Sequence, residues 1–395
     1  VHRVLRFGKA LKELGYQPII VTSKHIMQGR KDNELVTLAE KHFSEIHYLD
    51  HPVDRWIANT IYNNRYGWWS KVVRRFAESV LIPEKNVFWG KAAYRFCKHL
   101  IEEDQNIQFV WATMSPFTSG VVATKLTEAT GIQSLIDYRD PWMLSHYQKY
   151  NSWQRLRNHT LERRMLEKAT VVTVNTIPVR ELFISYYPDL KHKIHVLTNA
   201  WDKDMQFIQP TVQKGEYIDL YYVGSFYKDR QPYTLLEGVK KIESEVAYSR
   251  LRLNFIGCSN PTPIQKYTAK LELKTPIHYE GFVAYKQAMQ YIQKADVLLL
   301  INGTDERNNI FIPAKLFDYL AARKQILFLG DGQASNIIKE VNAGITTSHD
   351  TSEIAEALKI AVCRSRQGIQ YSEEAFHAYQ ASTLAKKMLA YIGEI

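Results

Sequence analysis

Pro313, Lys315 and Asp318 are the residues of this chain best suited, by type and spacing, to hold a charged ligand. They lie in Ile312-Pro-Ala-Lys-Leu-Phe-Asp-Tyr-Leu-Ala-Ala-Arg-Lys324, between two apolar runs, Val297-Leu-Leu-Leu-Ile-Asn302 and Gln325-Ile-Leu-Phe-Leu-Gly330. Proline is tolerated in the first turn of a helix, where its missing N–H would have no partner anyway. Lys315 and Asp318 lie three apart and so share one helical face. A helix start attracts phosphate through its free N–H groups and its positive dipole end. A lysine there can hold phosphate, and a carboxylate one turn on can accept from a sugar diol. The combination reads as a seat for a nucleotide diphosphate.

A second polar loop follows the strand-like run Asp219-Leu-Tyr-Tyr-Val-Gly224. It reads Gly224-Ser-Phe-Tyr-Lys-Asp-Arg-Gln-Pro232. Gly224 and Ser225 allow close backbone approach to a ligand, and Lys228 or Arg230 could meet phosphate, arginine in bidentate fashion. The first half offers Ser115 in Thr113-Met-Ser-Pro-Phe117. It also offers Asp137, Arg139 and Asp140 in Asp137-Tyr-Arg-Asp-Pro-Trp142. Two carboxylates beside an arginine can bind or activate a hydroxyl, or simply form a local Asp–Arg bridge. No dinucleotide fingerprint, Walker A loop, zincin motif or Asp-x-Asp pair occurs, and no nucleophile elbow is present. No metal ligand set and no resident cofactor are expected, so leaving-group charge would fall to arginine, lysine and the helix dipole.

The elements that must place these groups form two α/β alternations. Strand-like runs lie at 17–21, 45–49, 109–114, 134–139, 171–176 and 194–199, then at 219–224, 252–257, 277–280, 297–302, 325–330 and 343–347. Helical patterns separate most of them. Apolar strands alternating with helices imply parallel sheets covered on both faces. In such sheets ligands collect at the carboxyl ends of the strands, where all the loops above begin. The polar stretch Gln209–Glu216 reads as a linker. The reading is two doubly wound Rossmann-like domains, residues 1–204 and 205–372, followed by a helix within 373–395. The chain opens on a helix rather than a strand, as if a first strand were missing.

At 395 residues and 45% hydrophobic, the chain is long enough for two cores, and no run reaches the length of a membrane span. Three scattered cysteines fit a reducing cytoplasm better than a disulfide framework. A formal charge of +10 invites an anionic partner. Over 55–98 nine basic residues face only Glu78 and Glu84, interleaved with Trp56, Trp68, Trp69 and Trp89. That pattern fits an anionic membrane surface, or a solvated helical face with its tryptophans turned inward. No nucleic-acid module is visible, and nucleic acid is not expected as a partner.

The ordered series Asp137-Tyr-Arg-Asp-Pro-Trp142, Asn199-Ala-Trp-Asp202, Tyr222-Val-Gly-Ser225 with Arg230, Tyr279-Glu-Gly281 and Ile312–Ala321 resembles family 4 retaining glycosyltransferases of GT-B fold. Leu81-Ile-Pro-Glu84 with Trp89, and Ser115-Pro116, are similar to a bacterial polysaccharide-assembly branch. The resemblance implies two Rossmann-like domains facing a cleft, the first binding acceptor and the second a nucleotide sugar, with the final helix crossing back to the first. It implies that Arg230 and Lys315 grip the donor diphosphate and that Asp318 accepts the ribose hydroxyls. It further implies metal-independent transfer to a glycan or lipid-linked acceptor, at the cytoplasmic face of the membrane. Three departures are visible: Ile310 stands where the family often has a glutamate, Arg323-Lys-Gln325 replaces Gly-Lys-Pro after the helix, and Asn199-Ala200 replaces Asn-Gly. A nucleotide-sugar epimerase and a non-catalytic binding protein are the rival readings.

Overall fold

The computed structural model describes residues 2–24, 33–57, 72, 79–148, 150–204, 216–248 and 250–393. Two compact units account for it: Val1–Thr198 with Leu384–Ile395, and Asn199–Thr383.

The first unit runs α1 (His2–Glu13), β1 (Ile19–Ser23), α2 (Asn33–His42), β2 (Glu45–Leu49), α3 (Pro52–Ile57), α4 (Val87–Glu103), β3 (Phe109–Met114), α5 (Thr118–Thr130), β4 (Gln133–Tyr138), α6 (Ser152–Lys168), β5 (Val171–Val174), α7 (Ile177–Tyr186) and β6 (Ile194–Val196). β1 and β2 pair in parallel, and β3-β4-β5-β6 form a parallel sheet in sequence order. Thr176, expected as the end of a strand, instead caps α7: its hydroxyl accepts from the Val179 N–H at 3.3 Å. Ending β5 two residues early frees that side chain to satisfy a helix-start donor.

The second unit runs β7 (Ile218–Val223), α8 (Tyr233–Ile242), β8 (Leu251–Ile256), α9 (Thr262–Lys270), β9 (Ile277–Glu280), α10 (Tyr285–Lys294), β10 (Val297–Ile301), α11 (Lys315–Ala321), β11 (Gln325–Leu329), α12 (Gln333–Glu340), β12 (Gly344–Thr347), α13 (Thr351–Gln367) and α14 (Glu373–Ala378). Its sheet has the order β12-β11-β10-β7-β8-β9, with every pair parallel. Why the strands are apolar throughout is plain in β10. Leu298 and Leu300 enter one buried cluster with Leu316, Phe317 and Ile337; Val297, Leu299 and Ile301 enter another with Leu235, Ile354 and Leu358. Successive side chains point to opposite faces, and helices cover both.

The single helix read within 373–395 is two. α14 ends at Ala378, and α15 (Ala381–Ile392) begins after Tyr379 and Gln380. Trp201 explains the break. Its ring stacks on Phe376 at 4.1 Å, its indole N–H donates to the Phe376 carbonyl at 2.9 Å, and its backbone brackets Tyr379 and Ala381. This ties Asn199–Asp202 to the second unit, so the division falls before Asn199 rather than at 204. From Leu384 onward α15 belongs to the first unit: the Tyr391 hydroxyl donates to the Val196 carbonyl at 3.1 Å and its ring stacks on His195.

Of the basic, tryptophan-rich stretch over 55–98, Trp68 and Trp69 lie outside the described residues. Trp89 is buried with Ala93 and Leu126, whereas Trp56 is exposed. The linker read over 209–216 lies almost wholly outside the described residues too. No helix among the described residues is long and apolar enough to cross a membrane.

Candidate functional site

In the second unit the chain passes from β7 to β8 and β9 on one side, then returns to lay β10, β11 and β12 on the other. β7 and β10 are therefore neighbours whose outgoing loops turn opposite ways, and at such a switch point a crevice opens at the carboxyl ends. Gly224 and Ser225 leave β7 here, and Asn302 and Gly303 leave β10.

Lys315 opens α11 and reaches back toward β7. Its ammonium sits 3.7 Å from the ring centroid of Tyr222, a cation–π contact. Tyr222 is held from below by stacking on Phe226 at 4.2 Å. Gly224 has φ +136, and a β-carbon there would lie 2.7 Å from the Lys315 ammonium. Only glycine leaves that nitrogen its place. Burial lowers the Lys315 pKa to about 7, and the nearby Arg230 cation pushes the same way while Asp318 opposes it. Two cations thus crowd a partly enclosed spot with one carboxylate to offset them. An anion bound there would relieve both the repulsion and the desolvation.

Arg230 is positioned by the turn that precedes it. Tyr227 and Arg230 bridge across Lys228, whose φ is +53, and the Arg230 N–H donates to the Tyr227 carbonyl at 3.1 Å. The guanidinium donates through Nη1 to the Tyr227 hydroxyl at 2.6 Å. Lys228, the alternative cation in this loop, is exposed at the tip of the turn. Arg230, not Lys228, is the partner whose charge reaches Lys315.

Asp318 lies one turn along α11, half-buried, with the Tyr285 hydroxyl 3.5 Å from Oδ1. Pro313 is buried and precedes the cap residue Ala314 instead of occupying the first turn. The helix starts at Lys315 because the Leu316 and Phe317 N–H groups already bond back to Pro313 and Ala314. With seven residues, α11 has a weak dipole, so the lysine ammonium is the main source of positive charge. Ser225 is exposed, its hydroxyl donating to the Gly257 carbonyl at 3.3 Å.

Sequence reasoning passed over three contributors. Asp229 accepts from the Asn308 amide at 3.0 Å and braces the loop after β10. A β-carbon on Gly303 would collide with that carboxylate. Asn302 is 1% exposed, and neither polar atom of its side chain has a hydrogen-bond partner. A polar residue closing the apolar run of β10 at the switch point was the available signal. His349, after β12, donates or accepts at 3.3 Å with Thr234 and has its pKa lowered by burial.

In the first unit the residues read as an acceptor-side cluster separate into different roles. Asp137 is fully buried. Arg3 donates to both its oxygens at 2.7 Å, and the Thr173 hydroxyl donates to Oδ1 at 2.7 Å. With its lone pairs occupied inside the sheet, Asp137 acts as a structural carboxylate, and the substrate-facing role expected of it is corrected accordingly. The alternative reading, a local Asp–Arg bridge with Arg139, is not the pairing found for Asp137. Arg139 donates instead to the Met114 carbonyl at 2.8 Å and the Ser115 carbonyl at 2.9 Å. Ser115 and Asp140 are exposed at the carboxyl ends of β3 and β4. Trp142 is buried against Phe117 at 4.7 Å, anchoring the loop behind Asp140. No group of three or more potential metal ligands occurs among the described residues.

No protein-family model and no curated protein matches the sequence. Solved structures do. A glycosyltransferase from Rickettsia africae is 15% identical with TM-score 0.63, covering 100% of this chain and 94% of its own. HepE from Anabaena, in complex with UDP, is 11% identical with TM-score 0.59 over 96% of this chain and 100% of its own. A putative UDP-N-acetylglucosamine 2-epimerase from Listeria monocytogenes is 12% identical with TM-score 0.57 over 99% and 92%. The likeness shows the fold: two Rossmann-like α/β units of the GT-B type.

Proposed function

We propose that the chain is a retaining glycosyltransferase. It moves a sugar from a nucleoside diphosphate donor to a hydroxyl of a glycan or lipid-linked acceptor, in cell-surface polysaccharide assembly. The observation carrying this reading is the pair of cations, Lys315 over Tyr222 and Arg230 over Tyr227, close enough for the arginine charge to act on the lysine beside a glycine at the β7/β10 switch point. A pyrophosphate, with a negative charge on each phosphate, is an anion that suits two such groups. As the sugar–oxygen bond breaks, charge grows on the departing phosphate, and fixed cations in a partly desolvated spot stabilise that change without metal. In this reading Asp318 accepts from ribose hydroxyls and Ser115 and Asp140 serve the acceptor, which is supported by their exposure and by Arg139 bracing the loop at Ser115.

HepE is described in complex with UDP, which supports a uridine donor here. The epimerase likeness makes product analysis the deciding measurement. A panel of nucleotide sugars should release nucleoside diphosphate with sugar joined to acceptor; an epimerised sugar nucleotide would overturn the transferase reading. Lys315→Ala and Arg230→Ala should each lower turnover by about 10²-fold or more. Turnover at the parent level in either variant would remove that residue from the clamp. Ile310, which offers no carboxylate, favours a donor sugar held by fewer charged contacts than in the family pattern.

A further inference from the structure

Lys315 and Arg230 carry like charges, and the arginine helps to lower the Lys315 pKa for that reason. Two loops bearing such groups tend to part unless something joins them. The guanidinium of Arg230 does not supply the join. Its Nη1 donates to the Tyr227 hydroxyl at 2.6 Å, and its plane lies over the same ring at 5.2 Å. Tyr227 belongs to the same tight turn, whose tip is the exposed Lys228. Those contacts hold Arg230 to its own loop and leave the position of that loop against α11 to another group.

Asp229, the residue between Lys228 and Arg230, crosses the gap. Its Oδ2 accepts from the Asn308 side-chain amide at 3.0 Å and from the Asp305 N–H at 3.4 Å. Both donors lie in the loop that leaves β10 and runs on through Pro313 into Lys315. Asn308 is 1% exposed, so its amide depends on acceptors that the protein provides. Gly303, at the start of that loop, leaves the carboxylate its space, since a β-carbon there would collide with it. The far side of the tie is itself well formed. Asp305 accepts from the Arg307 N–H at 3.0 Å and pairs with the Arg307 guanidinium at 2.6 Å, which folds 306–308 into a single turn.

We propose that Asp229 is a positioning residue: it ties the loop of Arg230 to the loop that leads into Lys315, and so holds both cations ready for one diphosphate before that diphosphate binds. It acts through Arg230 and Lys315 and not on the donor itself. In the ligand-free protein the tie offsets the repulsion between the two cations. Once a diphosphate is seated, its own charge does the same, so the tie matters most for binding and least for the chemistry that follows. Without it only a fraction of the protein is poised to bind, and apparent affinity falls by that fraction. The inference rests on the diphosphate reading of this site for the identity of the ligand.

Calorimetry of the full chain with UDP and with inorganic pyrophosphate tests it. Asp229→Ala should weaken both by about tenfold or more, as expected for loss of a hydrogen bond to a charged group. Asn308→Ala should weaken them similarly, and the double variant no further, because the two residues are ends of one bond. Asp229→Asn, whose carbonyl oxygen can still accept from Asn308, should recover most of the affinity. In turnover, Asp229→Ala should raise KM for the donor while kcat changes much less; a role confined to folding would lower the melting temperature and leave KM alone. A ligand-free arm follows the Lys315 ammonium by nitrogen NMR of isotope-labelled lysine, assigned with Lys315→Met. The charged groups facing Lys315 are Arg230 and Asp318. When Asp229→Ala releases Arg230, Lys315 should titrate at higher pH than in the parent, whereas mere deletion of a nearby negative charge would move it lower. An unchanged or lowered Lys315 titration, additive losses in the double variant, or parent-level binding by Asp229→Ala would overturn the proposal. Failure of the parent chain to bind either probe would instead overturn the diphosphate reading, and the Lys315 titration would still decide whether Asp229 is the tie.

Discussion

Lys315 concentrates the chemistry of the second unit in one nitrogen. With its pKa lowered to about 7, first by burial and then by Arg230, it is only partly protonated near neutrality. A bound diphosphate favours the charged form, so the complex holds a proton that the free protein gives up above about pH 7. Affinity for UDP should therefore fall as pH rises from about 7 toward 9, by up to about tenfold per pH unit. This window lies above the phosphate's own titration near 6. Calorimetry in buffers of different ionisation enthalpy should report proton uptake approaching one per UDP at pH 8. In Lys315→Met both the slope and the uptake should vanish; a slope that persists would assign the proton to another group. Gly224 belongs to the same scale, because any β-carbon there displaces the lysine nitrogen.

At the scale of the element, α6 is shaped by what it buries. Glu162 is fully buried, accepting from the Tyr187 hydroxyl at 2.9 Å and the Met143 N–H at 3.4 Å. Desolvation raises its pKa to about 7 against those two bonds, which act to lower it. The native state then binds this proton more tightly than the unfolded chain does. Its contribution is therefore favourable below the ordinary carboxylate range and is lost as pH rises from about 4.5 to about 7. Glu162→Gln should be more stable than the parent at pH 8 by on the order of 2–3 kcal/mol, with the gap closing toward pH 5. Denaturant unfolding at the two pH values measures it; an equal gap at both would show that Glu162 does not titrate in this range.

The whole molecule is two units of unequal continuity. The second is one stretch of chain, Asn199–Thr383, and holds Gly224, Arg230, Lys315 and Asp318 together. The first is completed only by the end of the chain, where Leu384, Ala385, Met388, Leu389 and Ile392 are all buried. Exposing the four larger of these side chains costs about 1.5–3 kcal/mol each, comparable with the whole stability of a domain. A chain ending at residue 383 should lose the protease resistance of its first unit while still binding UDP. Loss of UDP binding in that truncation would show that the donor site needs the first unit.

Much of this was legible in the residues themselves. The parallel strands β2, β3 and β9 span the residues expected of them, 45–49, 109–114 and 277–280, and β10 and β11, covered on both faces, are apolar and buried nearly throughout. The remaining strands shift by only a few residues where an end residue caps a helix or enters a turn, as Thr176 does. Arg230 and Lys315 were visible as cations at the carboxyl ends of neighbouring strands. The sequence did not disclose that Asp137 is spent on Arg3, 134 positions away, or that Trp201 draws residues 199–202 into the second unit. Local pattern sets which residues form an element, since period and propensity act over a few neighbours. Partnership and ionisation depend on groups brought together from remote parts of the chain. Only the tertiary structure could decide that one carboxylate is sealed in a sheet while one lysine is left short of counter-charge.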